Sequence, residues 1–264
     1  MCDAESPRDS HLEDMFFQVF DISRRFCTMI EFLQTAKENA LFLLTCLLVF
    51  AGLVLLAWLA EKLLIKRPQR LSSAKSVAFI AMFGAIAAAL MFLEIPLFFA
   101  PSFYEIDLSE IPVLICTFYL GPVSGVVCEF LKIILKLLLK GTSTAFVGDF
   151  ANFVVGCSLV LPASVLYHYK KSKKSAILGM TVGTLSMTVF GSAFNAVYLL
   201  PKFAQLYGMP LDAIIAMGTA VNTGITSVST LVLFAVVPCN ILKGIIVSVV
   251  TLLLYKRVER LLHS

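Results

Sequence analysis

The chain has 264 residues, of which 59% are hydrophobic and 14% charged, with a formal net charge of +4 and a mean hydropathy of +0.92. Ordinary soluble domains contain about 25% charged residues, so this composition excludes a soluble globular protein and predicts a polytopic membrane protein. The length leaves room for roughly six or seven membrane spans of about 20 residues each, plus their connections.

The N-terminal segment differs in character from the rest of the chain. Residues 1–37 are polar to amphipathic, and residues 1–12 lack the apolar region of a secretory signal peptide. The apolar run 41–59 ends in a basic cluster: Lys62, Lys66, Arg67 and Arg70. We therefore expect residues 1–70 to form an extension with one transmembrane helix at about 41–59. Residues 71–264 are expected to form a separate membrane domain.

Six further apolar segments are expected to span the membrane, counting a short one that stops at the turn signal Gly121-Pro122. In chain order they are 76–99, 111–120, 123–139, 146–167, 176–200 and a last one ending at Leu254. Pro201 is expected to close the fifth segment, and a long connection over residues 201–225 follows it, with an apolar piece at 213–217. Pro238 is expected to kink the last span or to begin its regular part.

Three basic clusters set the expected orientation in the cell membrane. They are residues 62–75, the loop 170–174, and the tail with Lys256, Arg257 and Arg260. Because basic residues concentrate in cytoplasmic loops, all three are expected in the cytoplasm. The C-terminus is then cytoplasmic and the N-terminus extracellular, and the acidic loop with Glu105, Asp107 and Glu110 lies outside.

Lys243 lies in a stretch that is otherwise typical of a membrane helix. Thirteen residues separate it from Lys256, which is about 20 Å of helix in a hydrocarbon layer roughly 30 Å thick. An ammonium group at this depth is costly unless it faces a cavity, a partner or a ligand, so Lys243 is a candidate site residue. The alternative is a lysine whose side chain reaches the far interface.

Polar residues from separate segments are expected at the depth of Lys243. They are Tyr104 in the outer loop, Asp149 and Asn152 at the start of one span, Asn195 near the outer end of the next, and Asn240 one turn before Lys243. Each has a simpler explanation, such as helix capping by Asp149 or an interfacial position for Tyr104. Because polar groups within a membrane need partners, together they predict a small-molecule pocket open to the outside.

Two further patterns concern helix surfaces. Lys132, Lys136 and Lys140 form a stripe at i, i+4 and i+8, which we interpret as interfacial lysines, with Glu129 pairing Lys132. Several basic donors could otherwise hold a phosphorylated ligand. The second pattern is a stripe of small residues, Ala81, Ala85 and Ala89. Small residues allow another helix to approach closely, either from the same chain or from a partner membrane subunit.

Enzymatic chemistry is not indicated. No paired carboxylates or His/Cys cluster occur within the predicted spans, and His11, His168 and His263 lie outside them. The seven cysteines are scattered singly, so neither a disulfide nor a metal site is expected. No cofactor is expected either. Without a glycine-rich phosphate loop, any ATP must be hydrolysed by other chains. A stand-alone secondary carrier remains open, although the halves show no internal similarity.

Four sequence blocks resemble the substrate-binding (S) subunits of energy-coupling factor (ECF) vitamin transporters, specifically the riboflavin-binding type. The blocks are residues 101–112, 121–125, 148–153 and 238–244. The resemblance extends over about residues 76–262 and excludes residues 1–70. It implies an all-α membrane protein with a six-helix transmembrane bundle that holds a vitamin on its outer side. Here the bundle is preceded by one additional N-terminal transmembrane helix.

The resemblance also implies roles for particular residues. Asp149, Asn195, Asn240 and Lys243 would take the polar contacts to riboflavin or a related flavin, with Tyr104 and Asn152 in the same pocket. Ala81, Ala85 and Ala89 would dock on a membrane coupling subunit that two cytoplasmic ATPase subunits drive. No nucleic-acid partner is expected.

The chain departs from the family pattern at two positions. Asp149 stands where the family favours Glu, and Cys239 stands where it usually has Phe. The shorter Asp149 would reach about one methylene less far towards a ligand, and Cys239 removes a possible lining ring. An S subunit for another vitamin or flavin analogue is the alternative within the family.

Overall fold

The computed structural model describes residues 37, 39–65, 73–101, 103–142 and 144–263, with side chains as far as Tyr255. Several predictions lie outside the described residues. They concern the polar segment up to residue 36, the basic residues Lys66, Arg67 and Arg70, Ser102, and the side chains of Lys256, Arg257 and Arg260.

Helices make up most of the described chain, and one short hairpin interrupts them. The elements are α1 (Ala40–Leu64), α2 (Ala74–Leu90), β1 (Ile95–Pro96), β2 (Glu105–Ile106), α3 (Glu110–Leu120), α4 (Pro122–Lys140), α5 (Val147–Tyr169), α6 (Lys173–Phe194), a first π segment (Asn195–Leu199), α7 (Leu200–Leu206), α8 (Leu211–Val221), α9 (Val228–Leu231), a second π segment (Val232–Val236) and α10 (Val237–His263).

Four helical stretches of the described chain are long and apolar enough to cross a membrane: Ala40–Leu64, Val147–Tyr169, Lys173–Leu206 and Val228–Tyr255. Three shorter apolar helices, α2, α3 and α8, accompany them. Helix α4 carries Glu129 and three lysines, so its composition is less apolar. The predicted all-α membrane architecture is confirmed.

The short helix α3 lies at the centre of the bundle. Val113 and Leu114 are fully buried and Phe118 is 1% exposed. They pack into a core shared with α2, α5, α6 and α10, where Leu159, Met180 and Val247 are also buried. A helix that is apolar on all sides is expected to be enclosed by other helices. This explains why an 11-residue helix persists here without spanning the membrane alone.

The segment expected to span residues 76–99 ends earlier, at Leu90. Beyond it, Ile95 pairs with Ile106 and Pro96 with Glu105 in an antiparallel hairpin. Proline lacks the N–H that a helix interior needs and disfavours helical geometry at the preceding residue, so Pro96 and Pro101 prevent the helix from continuing. The prediction of a helix to residue 99 is therefore wrong.

Pro201 does not close its helix, which continues to Leu206. The first π segment ends two residues before Pro201, and the second π segment ends two residues before Pro238. Proline removes one backbone donor and its ring crowds the preceding turn, and the wider π turn accommodates both effects. The prediction for Pro201 is wrong, whereas regular α-helix does begin beside Pro238, at Val237.

The described residues belong to two units, one ending at Leu43 and one comprising residues 44–264. Of the first unit, Lys37 and the chain from Asn39 into the start of α1 are described. Within the second unit, the rest of α1 packs on α4 and α5. Phe50 stacks on Phe130 with ring centroids 4.0 Å apart.

The carboxylate of Glu61 fixes α1 to the turn between α3 and α4. Its Oε1 accepts a hydrogen bond from the backbone N–H of Val123 at 3.0 Å, and this N–H has no partner within α4. Gly121 has φ +117°, and a Cβ at this position would lie 2.7 Å from Glu61 Oε1. Glycine is therefore required both for the turn and for the approach of Glu61.

Candidate functional site

A cavity of about 240 Å³ lies where the hairpin loop meets the ends of α5, α6 and α10. Both polar and apolar side chains line it. The lining residues are Phe103, Tyr104, Glu105, Ile106, Glu110, Gly148, Ala151, Asn152, Val155, Asn195, Leu199, Phe203, Val236, Cys239, Asn240 and Lys243. Small-molecule sites usually measure roughly 300–1,000 Å³ and combine apolar walls with a few polar groups. The composition fits such a site, and the volume lies just below that range.

Five of the six residues predicted to contact a ligand line this cavity: Tyr104, Asn152, Asn195, Asn240 and Lys243. They come from the hairpin loop, α5, the first π segment and α10. Asp149 does not line the cavity, because its carboxylate is buried and bonds the ammonium group of Lys136 at 2.5 Å.

Asn195 is held in place by bonds within the protein. The hydroxyl of Tyr104 donates to Asn195 Oδ1 at 3.1 Å, and Asn195 Nδ2 donates to the carbonyl of Gly191 at 2.9 Å. Burial raises the pKa of Tyr104, so its hydroxyl remains protonated and able to donate. These bonds attach the loop before α3 to the end of α6 and close one side of the cavity.

Asn240 has an unused donor. Its Nδ2 atom is buried and has no hydrogen-bond partner among the described residues. It lies against Gly191, where a Cβ would be only 3.0 Å from this nitrogen. A buried donor without an acceptor destabilises the empty protein, so an acceptor on a bound ligand would be favoured here.

Lys243 lies between two carboxylates. Its Nζ is 3.0 Å from Asp107 Oδ2 and 3.0 Å from Glu110 Oε2. Asp149 is not a partner of Lys243, because its carboxylate pairs with Lys136. Since α3 begins beside α10, the acidic loop before α3 reaches Lys243 directly.

Lys132 connects the cavity to the interior of the bundle. Its side chain is fully buried, 2.6 Å from Glu129 Oε2 and 3.3 Å from Glu110 Oε1. Its Nζ also donates to Asn152 Oδ1 at 3.3 Å. The predicted pair with Glu129 is confirmed, but the interpretation of Lys132 as an interfacial lysine is wrong. A charge enclosed between helices requires opposite charges around it, and α3 and α4 supply them.

Asp107 is ionised by its surroundings. Burial alone would raise the pKa of this carboxyl, but the ammonium groups of Lys243 and Lys132 and the hydrogen bonds from Ser109 outweigh it. The pKa of Asp107 therefore lies below its ordinary value. The loop before α3 thus presents a fixed negative charge to Lys243.

The buried network contains three carboxylates and two ammonium groups: Asp107, Glu110, Glu129, Lys132 and Lys243. Both lysines are already paired, so neither offers an uncompensated positive charge. No group of three His, Cys, Asp or Glu side chains among the described residues is placed to hold a metal ion. The arrangement suits hydrogen bonding to an uncharged polar ligand.

Sequence reasoning missed Glu110 and Lys132 as neighbours of the site, and Phe103 and Phe203 as parts of its wall. A signal for Lys132 was present, because a charged pair within an apolar helix needs further partners from other helices. The two phenylalanines carried no comparable signal, since Phe103 lies in a loop and Phe203 lies in a segment that the sequence predicted to be a connection.

The alanine stripe lies on the face of α2 that points away from the rest of the bundle. Ala81, Ala85 and Ala89 are exposed, whereas Phe79 and Phe83 on the opposite face are buried. The stripe is therefore not used for packing within the described chain.

Comparison with known proteins identifies the family. The family model for the substrate-specific component of ECF transporters matches residues 75–255. Riboflavin transporter RibU of Staphylococcus aureus (strain TCH60) is 35% identical over 197 residues, or 75% of this chain and 97% of the relative. Riboflavin transporter FmnP of Bacillus subtilis (strain 168) is 30% identical, covering 70% of this chain and 92% of the relative.

A solved structure agrees with these matches. It is described as the S component of a bacterial ECF transporter, is 36% identical, and superposes with a TM-score of 0.57. The match covers 72% of this chain and 98% of that structure. The resemblance inferred from four sequence blocks is thereby confirmed: the chain belongs to the family of substrate-specific components of ECF transporters.

Proposed function

We propose that this chain captures riboflavin in the 240 Å³ cavity and delivers it for ATP-driven uptake with separate coupling and ATPase subunits. The unpartnered amide of Asn240, beside Lys243 in this cavity, carries the proposal. The names of the two relatives, both riboflavin transporters, support the choice of ligand.

The cavity matches the chemistry of an isoalloxazine ring. The ring presents carbonyl and ring-nitrogen acceptors, one N–H donor and a broad apolar face. Asn240 supplies the donor, and Lys243 can donate to a carbonyl while it remains paired with Asp107 and Glu110. Phe103 and Phe203 supply apolar walls for the ring faces.

The charges of the site favour an uncharged flavin over a phosphorylated one. A phosphate group needs several basic donors. Lys132 and Lys243 are already bonded to carboxylates, and Lys136 is bonded to Asp149. Flavin mononucleotide would have to displace one of these buried carboxylates, so we propose that it binds more weakly than riboflavin.

The orientation and the partners belong to the same proposal. With the basic loop 170–174 in the cytoplasm, the cavity at the other end of α6 faces the outside. The exposed stripe Ala81, Ala85 and Ala89 would let a membrane coupling subunit approach α2 closely. We further propose that residues 71–264 form the substrate-binding domain and that residues 1–70 form an extension to it.

The test is a titration of the purified full chain with riboflavin, in which quenching of the flavin fluorescence measures binding. Saturable binding of one riboflavin per chain is expected, with weaker binding of flavin mononucleotide and no competition by thiamine or biotin. If riboflavin does not bind and one of the other vitamins does, the chain serves a different vitamin and the proposal fails.

A further inference from the structure

A second cavity, of about 610 Å³, lies at the opposite end of α6 and α10 from the candidate site. Its lining residues are Tyr167, Lys171, Ser172, Lys173, Ala176, Ile177, Val249, Leu252, Leu253 and Tyr255. None of them lines the first cavity. The loop between α5 and α6 therefore borders a space to which the proposed function gives no role.

One wall of this cavity is apolar and is exposed on the sides of α6 and α10. Ile177 is 53% exposed, Val249 is 51% exposed and Leu253 is 68% exposed, all on helices long enough to cross a membrane. On such helices these faces meet lipid chains. Tyr167 and Tyr255 also line the cavity, and their hydroxyl groups bond each other. The cavity can thus admit a hydrocarbon chain from the membrane.

The other wall is basic. Lys171 and Lys173 are exposed at the start of α6, where Ser172 accepts a hydrogen bond from the N–H of Ser175. The first backbone N–H groups of a helix carry partial positive charge, which adds to that of the two lysines. Among the described residues that line this cavity, no side chain is acidic. The rim is therefore complementary to an anion.

We propose that this cavity binds an anionic phospholipid. Its phosphate lies between Lys171 and Lys173, and one acyl chain lies along Ile177, Val249 and Leu253. Basic pockets between transmembrane helices at a membrane surface recognise such headgroups. A free phosphate ion would leave the apolar part of the cavity unfilled, so the combination of a basic rim and an apolar wall selects a lipid.

The test uses the purified full chain in detergent with added phosphatidylglycerol or phosphatidylcholine, and native mass spectrometry counts the retained lipid. The wild-type chain should retain one phosphatidylglycerol in preference to phosphatidylcholine. The double variant Lys171→Gln with Lys173→Gln should weaken that binding about 25-fold, because each lysine contributes about fivefold. Lys202→Gln is the matched control, since Lys202 is an exposed lysine near the other end of the same helical stretch.

A second variant tests the apolar wall separately. Val249→Trp fills the cavity from its exposed side without changing any charge, and it should also displace the lipid. Circular dichroism and thermal unfolding confirm that each variant is folded. Equal retention of the two lipids, full retention in the double variant, or competition by inorganic phosphate alone would each overturn the proposal.

Discussion

Among the described residues that line the cavity, Asn240 is the one with a buried, unpartnered donor. Its buried Nδ2 lacks a partner among the described residues, whereas both polar atoms of Asn195 are bonded within the protein. The two asparagines therefore have different roles, although the sequence predicted the same role for both. Asn195 shapes the cavity, and we propose that Asn240 recognises the ligand.

Asn240→Ala should weaken riboflavin binding by about tenfold, the effect of losing one buried hydrogen bond. It should not lower the thermal stability of the empty protein, because the donor it removes is unpaired there. Titration and thermal unfolding measure the two effects. Ser229→Ala, at an exposed serine in the same helical stretch Val228–Tyr255, is the control. An unchanged affinity would remove Asn240 from the site.

Lys243→Ala should lower both affinity and stability. It leaves Asp107 and Glu110 without their shared partner, and breaking a buried ion pair costs about 3 kcal/mol. Combining Lys243→Met with Glu110→Gln removes charges of both signs, so we expect partial recovery of stability without recovery of binding. If affinity also recovers, Lys243 acts only on folding.

At the scale of elements, α1 is attached to the bundle by specific contacts. Glu61 bonds the first turn of α4, and Phe50 stacks on Phe130. The two relatives align with only 70–75% of this chain, and the family model begins at residue 75. Helix α1 therefore lies outside the region that the family model covers, yet from residue 44 onward it packs on α4 within the same unit.

Glu61→Ala should lower the free energy of unfolding by about 1 kcal/mol, the usual effect of losing a side-chain acceptor at a helix start. Glu61→Gln keeps an acceptor, so its free energy of unfolding should lie between those of the wild type and the alanine variant. Thermal unfolding in detergent measures the order, with Leu63→Ala as an exposed control on the same helix. Identical midpoints for all four proteins would show that the contact contributes nothing.

Helix α2 differs from α1, because no described part of the chain packs against its alanine stripe. Ala85→Leu should spare riboflavin binding and reduce co-purification of the coupling subunit severalfold, because a larger side chain prevents close helix approach. Val189→Phe enlarges a different exposed position, on α6, and should leave assembly intact. Normal assembly of the Ala85 variant would exclude this face as the docking surface.

For the molecule as a whole, local patterns predicted the helices, and long-range pairing could not be predicted. Hydrophobic runs located α1, α3, α4 and α5 to within a few residues. The ends near Pro96 and Pro201 were misplaced, because a hairpin and a π turn depend on neighbouring elements as well as on the prolines.

The same limit applies to the site. Depth in the membrane brought Asn195, Asn240 and Lys243 to one level, because depth follows from position along a helix. Which carboxylate pairs with Lys243 depends on how helices are rotated against each other, and a single sequence does not contain that information. The acidic loop residue Asp107, 136 positions away, is one example.

The most direct test of the central claim is the visible absorption spectrum of the full chain purified from cells supplied with riboflavin. We predict the absorption bands of a flavin at about one flavin per chain, and their loss when Asn240→Ala and Lys243→Ala are combined. A folded protein that is colourless, and that stays colourless after incubation with riboflavin, would contradict the assignment of the cavity as a flavin site.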